Sequence, residues 1–402
     1  MNYGLEQIAA LTTAWLPLVC IAVSVFGSLC ALGAVWAARG FSRRLGAEAP
    51  TTWPNISILK PLFRAEALLS ENIETYFHQD YPGKIQFVFG VQDPNDNAIP
   101  VVRSLIARYP ELDVQLVVNA ATHGSNRKVS NLINMVQVAR HSVIVAADSD
   151  VAVGPNHLST LVATLTQPGV GAVTCLYRGL PSSGFWSRLC AMAVHDHFLP
   201  TTILGLALGL ARPCLGATIA LSRETLSRIG GFETVANQLA DDYAIGKAVR
   251  EAGLNVVVAP MLVAHAFEES SFHEMVRHEL RWARTIFTVD QAGYIGSGLT
   301  HALPLALIGA ALRGFDGLGV AAVLLALSCR LSLKYRLTRQ FDLPDPGYAL
   351  LFVRDILSFA IYLASFSSTK VAWRGQDFAV GRDGTLLATL GRGSAQHLME
   401  RR

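Results

Sequence analysis

Asp148-Ser149-Asp150 closes an apolar run, Val143-Ile144-Val145-Ala146-Ala147. In an extended chain, residues two apart point to the same side. Asp148 and Asp150 can therefore offer two carboxylates to one ligand. Hard divalent cations take oxygen ligands, and Mg²⁺ typically keeps one or two carboxylates beside substrate phosphates. Taken alone, Asp-Ser-Asp is as readily a solvated turn; its place at the end of a buried strand makes it a site. A second apolar run, Val88-Phe89-Gly90-Val91, leads through Gln92 into Asp93. A third acidic element, Asp241-Asp242, stands before Tyr243-Ala244-Ile245-Gly246-Lys247-Ala248-Val249, which has a helical pattern. One carboxylate suffices for a helix N-terminus. Asp241 is assigned that task, which leaves Asp242 free. Arg281-Trp282 falls within residues 272–286, an amphipathic helix whose Trp could equally lie at a membrane interface.

The elements that must hold these groups follow from hydrophobic period. Residues 56–62, 85–91, 114–118 and 142–147 read as strands, and their near-continuous apolar runs suit a parallel sheet covered on both faces. Between them, residues 65–78, 98–109 and 127–140 read as helices, the last with Val129, Leu132, Ile133 and Val136 on one face. This βαβ alternation predicts an α/β, Rossmann-like nucleotide-binding domain over residues 51–290. In such sheets ligands bind at the carboxyl ends of strands, where Asp93 and Asp148 stand.

Around this domain the charge disappears. The chain has 402 residues, 51% hydrophobic and only 16% charged, against roughly 25% charged in soluble domains. Residues 8–38 carry no charged side chain, which is enough for a spanning anchor. Arg39, Arg43 and Arg44 follow at once, so the positive-inside rule puts the middle domain in the cytoplasm. Residues 299–369 hold further membrane segments: short apolar runs at 299–312 and 318–329, then 348–367, interrupted by Arg354 and Asp355. Arg330, Lys334, Arg336 and Arg339 mark a return to the cytoplasm after the second run. The third is expected to be re-entrant or interfacial, with Arg354 and Asp355 turned to protein or water. Residues 370–402 read as a basic cytoplasmic tail. The expected protein is thus a multi-pass protein of the cell (inner) membrane. Residues 198–210 are strongly apolar but too short to span, so they form a core helix or an interfacial one, preceded by His195 and His197. A net charge of +3 gives no reason to expect nucleic acid. The six cysteines show no C-x-x-C spacing and read as reduced packing residues.

The elements in order are the strand ending at Asp93, Gly124-Ser125-Asn126-Arg127-Lys128-Val129-Ser130-Asn131-Leu132, Asp148-Ser149-Asp150, Leu239-Ala240-Asp241-Asp242-Tyr243 and Arg281-Trp282. Together they resemble the ceramide glucosyltransferase-like family, inverting glycosyltransferases of the GT-A fold. The likeness runs from about residue 56 to the tail Trp373-Arg374-Gly375. Ala211-Arg212-Pro213-Cys214-Leu215-Gly216-Ala217-Thr218 looks most like the bacterial branch associated with hopanoid glycosylation. The resemblance implies a UDP-sugar donor carrying glucose or N-acetylglucosamine, a lipid acceptor (ceramide or hopanoid) and Mg²⁺ or Mn²⁺. It implies that Asp93 holds the nucleotide, that Asp148 and Asp150 position the diphosphate through the metal, and that Lys128 adds positive charge. It makes Asp242 the general base, with Arg281 and Trp282 completing the site. His278, where the family has Gln or Arg, departs from the pattern but can donate one hydrogen bond. Two other readings fit parts of the chain: a processive polysaccharide synthase, which shares these motifs, and a non-catalytic membrane scaffold or transporter.

Overall fold

The computed structural model describes residues 2–43, 50–66, 68–182, 184–344, 347–368, 370–373, 376–381 and 384–388. Helix α1 (Asn2–Arg43) leads into strand β1 (Ile56–Pro61), α2 (Leu69–Phe77), β2 (Ile85–Val91), α3 (Ala98–Arg108), β3 (Asp113–Val118), α4 (Arg127–Val136) and β4 (Val143–Ala147). These four strands lie parallel in the order β3-β2-β1-β4. Every residue of β1 and β4 is buried, as a parallel sheet sandwiched between helices requires. Alternate side chains feed two cores. Ile58, Phe87, Phe89 and Val145 pack on one face, and Leu59, Val88, Ile144 and Ala146 on the other.

Beyond β4 the sheet changes character. The chain continues through β5 (Val151–Ala152), α5 (His157–Leu165), β6 (Val170–Pro181), α6 (Gly184–Ala193), a π-helical turn Val194–Phe198, α7 (Leu199–Ala207) and β7 (Thr218–Ser222). Then come α8 (Arg223–Arg228), α9 (Asp241–Glu251) and β8 (Asn255–Phe267). β7 runs antiparallel between β4 and β6, β8 runs parallel to β6, and β5 closes the edge antiparallel to β8. The expected all-parallel sheet is therefore mixed. Antiparallel β7 starts beside the end of β4 that carries Asp148, where Thr218 pairs with Ala147, and runs back to Val143.

The rest of the chain is helical: α10 (Phe272–Val289), α11 (Gln291–Ser297), α12 (Ala302–Leu312), α13 (Gly317–Phe341) and α14 (Ala349–Ser365). Trp15–Phe41 and Gly317–Phe341 are long and apolar enough to cross a membrane. Gln291–Thr300 with Ala302–Leu312, bent by 60°, would make a third span if the pair acts as one. The apolar run at 318–329 does not end the helix, as expected from the basic residues that follow; α13 continues through them. The reason is pairing. Arg330 makes two bonds to Asp355, 2.8 and 2.6 Å, and a third of 2.7 Å to the Asp196 carbonyl. Lys334 lies 3.3 Å from the Asp196 carboxylate. Arg354 and Asp355 face protein, as anticipated: Arg354 is wholly buried and grips Glu279 of α10 through two 2.7 Å bonds. Removing one member of such a buried pair leaves an uncompensated charge.

Of the apolar stretch 198–210, Leu199–Ala207 form α7: Leu199 and Ile203 are buried and pack with Ala34 and Ala38 of α1 and Leu333 and Leu337 of α13, while Leu208 and Leu210 are exposed. Residues expected to form only a basic tail include three strands. β9 (Lys370–Trp373), β10 (Gln376–Val380) and β11 (Leu386–Ala388) form an antiparallel sheet. The chain between them crosses back to the catalytic domain, where Leu239 N–H donates to Gly384 O and Leu386 N–H to Asn237 O. Arg44, Arg374, Gly375 and Arg382 lie outside the described residues. All six cysteines are free thiols.

Candidate active site

Strand β4 delivers Asp148 and Asp150 to the carboxyl end of the parallel strands, and a buried lysine fixes the turn. Lys60, at the end of β1, donates a 2.7 Å hydrogen bond to the Asp148 carbonyl and lies 3.9 Å from the centre of the Tyr76 ring. Burial pushes its ammonium down to about 7, although Asp150 and Asp148 oppose the shift. A buried cation costs stability unless fully paired. Lys60→Met keeps the volume and removes the donor. It should leave the melting temperature unchanged or higher while lowering kcat roughly 10–100-fold, the scale of one hydrogen bond from a charged group. Thermal unfolding and initial rates check this; an unchanged kcat would show that the turn holds itself.

The carboxylates are held differently. Lys128, in the first turn of α4, sits 2.7 Å from Asp148 Oδ1 and 3.4 Å from Asp241 Oδ2. Burial disfavours its charge, but Asp148, Asp241 and Asp242 outweigh that and hold the ammonium above its usual range. The helix is set by Asn126, whose side chain accepts the Val129 N–H. α4 also comes close to the sheet at Gly90, where a Cβ would lie 2.4 Å from Asn131 Oδ1 and Met135 Sδ.

Asp242 is bound at both oxygens: Oδ2 accepts the Gly216 N–H and Oδ1 the Tyr243 N–H, each at 2.8 Å. Burial, and next the neighbouring Asp241, push its carboxyl up to about 6, against the pull of Lys128 and the two amides. The division of labour expected for the acidic pair is corrected here. Asp241 does not cap α9, which has Ala240 at its N-cap and no side-chain cap. Its carboxylate turns instead to Lys128. Gly216 is the meeting point: a Cβ there would lie 3.2 Å from Lys128 Nζ, 3.3 Å from Asp242 Oδ2 and 3.4 Å from Asp148 Oδ2.

Asp150 has a partner that the sequence reading missed. His265 Nδ1, on β8, lies 3.3 Å from Asp150 Oδ1. Apart from that ion pair, Oδ1 is buried with no hydrogen-bond partner. Burial would raise Asp150, but His265, Lys60 and Lys128 bring its carboxyl below the usual range. Register puts the two together, since Val151 pairs with His265 across β5 and β8. Glu66 is a second unforeseen group, a carboxyl pushed up to about 8 by burial and then by Asp150.

Arg281 and Trp282 arrive on α10. Ser271 caps that helix through the Glu274 N–H, and Glu274 Oε2 reaches back to Ser270 N–H, a reciprocal cap. Trp282 packs with Tyr177, His265, Phe267 and His278, ring centres 4.6–6.0 Å apart. Arg281 feels the charges of Asp150, Glu269 and Asp148. Asp93 stands apart. It is exposed beyond β2, two strands from β4, and its Oδ1 takes the Asn95 N–H at 2.9 Å.

Residues 11–386 match the model of glycosyl transferase family 21. The chain belongs to that family. This glycosyltransferase is 22% identical over 352 residues to ceramide glucosyltransferase 3 of Caenorhabditis elegans, covering 83% of this chain and 74% of the relative. With ceramide glucosyltransferase 1 of the same organism it shares 24% over 213 residues, 53% of this chain and 45% of the relative. The matched part is thus under half of that relative's length. Among solved structures, the mannosyltransferase PcManGT from Pyrobaculum calidifontis, in complex with GDP-Man and Mn²⁺, superposes with a TM-score of 0.56. It shares 20% identity and covers 88% of this glycosyltransferase and 99% of that chain, a likeness of fold. The α/β GT-A architecture anticipated from the motifs is the one observed.

Proposed function

We propose that this glycosyltransferase moves glucose or N-acetylglucosamine from a UDP-sugar to a hydroxyl of a membrane lipid, a ceramide or a hopanoid polyol, with inversion. The observation that carries the reading is the convergence of Asp148, Asp242 and Lys128 on Gly216, in a domain packed through α7 against the spanning helices α1 and α13. The names of the nematode relatives support the acceptor class.

The donor set fits Mg²⁺ or Mn²⁺. Asp148 Oδ2 lies on the Gly216 side, Asp150 Oδ1 has no hydrogen bond, and the His265 imidazole stands beside it. Among the described residues no three His, Cys, Asp or Glu side chains form a ready cage. That suits a cation completed by substrate phosphates. When bound, it neutralises charge on the departing diphosphate. The chain's own groups supply the rest. Lys128 adds a fixed positive charge; Asp93 contacts the nucleoside; Arg281 and Trp282 close the site. Asp242 takes the proton of the acceptor hydroxyl as its oxygen bonds to the anomeric carbon and the bond to UDP breaks. A single displacement inverts that carbon.

Detergent-purified protein should release UDP only when a lipid acceptor is present, with one sugar added per lipid by mass spectrometry. A polymeric product would favour a processive synthase, and no release with any lipid would remove the proposal. The Arg39, Arg43, Arg44 cluster orients the domain to the cytoplasm; a reporter fused after Ala47 that reads periplasmic would reverse that.

A further inference from the structure

His278 occupies a motif position where this chain departs from the family pattern, and its surroundings give it a definite chemistry. Its Nδ1 is hydrogen-bonded to Glu269 Oε1. Its Nε2 is buried and has no hydrogen-bond partner. Buried polar atoms without partners are exceptions that call for a cause. A second histidine, His157, also lacks partners, but it lies edge-on to Tyr76 in the sheet core with no carboxylate beside it. His278 instead packs edge-on against Trp282, ring centres 4.6 Å apart. Trp282 is 5.6 Å from His265, whose Nδ1 is 3.3 Å from Asp150. The His278 ring therefore belongs to the aromatic wall that continues from the carboxylate cluster.

The charges around the ring decide which nitrogen carries the proton. Burial, Arg281 and His265 all disfavour an imidazolium, and they hold His278 below its ordinary value despite Glu269. Burial would raise Glu269, but the hydrogen bond to His278, with further hydrogen bonds from backbone and Cys190, brings the acid below its usual range and keeps it ionised. A carboxylate can only accept, so the single ring proton sits on Nδ1 and Nε2 bears a lone pair.

We propose that Glu269 and His278 form a hydroxyl-binding subsite, in which Glu269 fixes the ring so that the bare Nε2 accepts a hydrogen bond from a substrate hydroxyl. The subsite rests on the glycosyl-transfer reading above, and its chemistry is opposite to the donor role that the motif position suggests. Two hydroxyl sources are present in that reaction, the donor sugar and the lipid acceptor, and the test separates them.

The comparison is His278→Gln against His278→Asn in the full-length protein, assayed in detergent with UDP-sugar and lipid. A glutamine amide reaches the place of Nε2; an asparagine amide reaches only that of Nδ1. The Gln variant should stay within about threefold of wild type. The Asn variant should raise one KM about tenfold, the equivalent of 1.4 kcal/mol. A rise confined to the lipid KM, with the UDP-sugar KM unchanged, assigns the acceptor hydroxyl; a rise in the UDP-sugar KM assigns the sugar. Glu269→Gln leaves the ring in place and should raise the same KM less, adding nothing in the His278→Asn background. Equal behaviour of the Gln and Asn variants overturns the subsite. If neither can be purified, an unchanged KM in Glu269→Gln overturns it. Wild-type turnover is the separate control on the functional reading: if it fails, the glycosyl-transfer assignment fails, whatever the two amides do.

Discussion

Asp242→Asn should lower kcat by about 10²–10⁴-fold, the range that general-base catalysis supplies, and leave UDP-sugar affinity nearly unchanged. The wild-type carboxyl, pushed up to about 6 by burial and by Asp241, is protonated below that pH and cannot take a proton. Wild-type kcat should therefore rise with pH through about 6 and level off above it, and the variant should lose that limb. The substitution is not silent structurally. Both oxygens accept backbone N–H groups, from Gly216 and Tyr243, and an amide can satisfy only one. An unsatisfied buried donor costs about 1–3 kcal/mol, so the melting temperature should fall while the protein stays folded. Asp241→Asn provides the contrast. Because Asp241 faces Lys128 rather than capping α9, its loss should weaken donor binding, leave the base itself in place and move the rise of kcat to lower pH, since Asp241 helps hold the Asp242 carboxyl up. Turnover and UDP-sugar affinity measured for both variants decide it. A dead Asp241→Asn beside a normal Asp242→Asn reverses the two roles.

What the sequence revealed and what it hid have the same origin, the distance over which a signal acts. The place of Asp148 and Asp150 just beyond a buried strand was legible because a strand's period and its end are local features. So was the first half of the sheet: β2 spans Ile85–Val91, the residues anticipated. His265 was not legible. It meets Asp150 only because β8 pairs with the two-residue strand β5, a contact between segments far apart in the chain. Lys60 ends an apolar strand, and nothing local tells that its amine reaches the Asp148 carbonyl. The division between Asp241 and Asp242 failed because helix-capping logic considers one helix, whereas Lys128 of α4 and the Gly216 amide compete for the two carboxylates. α13 was cut short for a similar reason. Arg330 and Lys334 look like the end of a span until Asp355 and Asp196 are seen to neutralise them. Arg354 and Asp355 were the exception. Charge within an apolar run demands protein partners wherever it lies, so their burial could be anticipated without knowing Glu279 or Arg330.

Asp150→Ala should cost about 10²–10³-fold in turnover, the scale for losing one group that stabilises charge as it develops. The structure singles out Asp150 over Asp148 for this test. Asp148 Oδ1 is engaged by Lys128 at 2.7 Å, so removing Asp148 also strands a buried ammonium. Asp150 Oδ1 has no hydrogen bond, and burial notwithstanding, His265 and the two lysines keep the carboxyl ionised through the neutral range. It is thus the oxygen most ready for a divalent cation, and its removal leaves the Lys128 network intact. EDTA should abolish wild-type activity, and Mg²⁺ or Mn²⁺ should restore it. Initial rates titrated against Mn²⁺ should show the Asp150→Ala curve displaced to higher metal concentration as well as lowered at saturation. A curve merely lowered, with its midpoint unmoved, would place Asp150 on the substrate rather than the metal. Full activity with the wild-type midpoint would remove Asp150 from the site altogether.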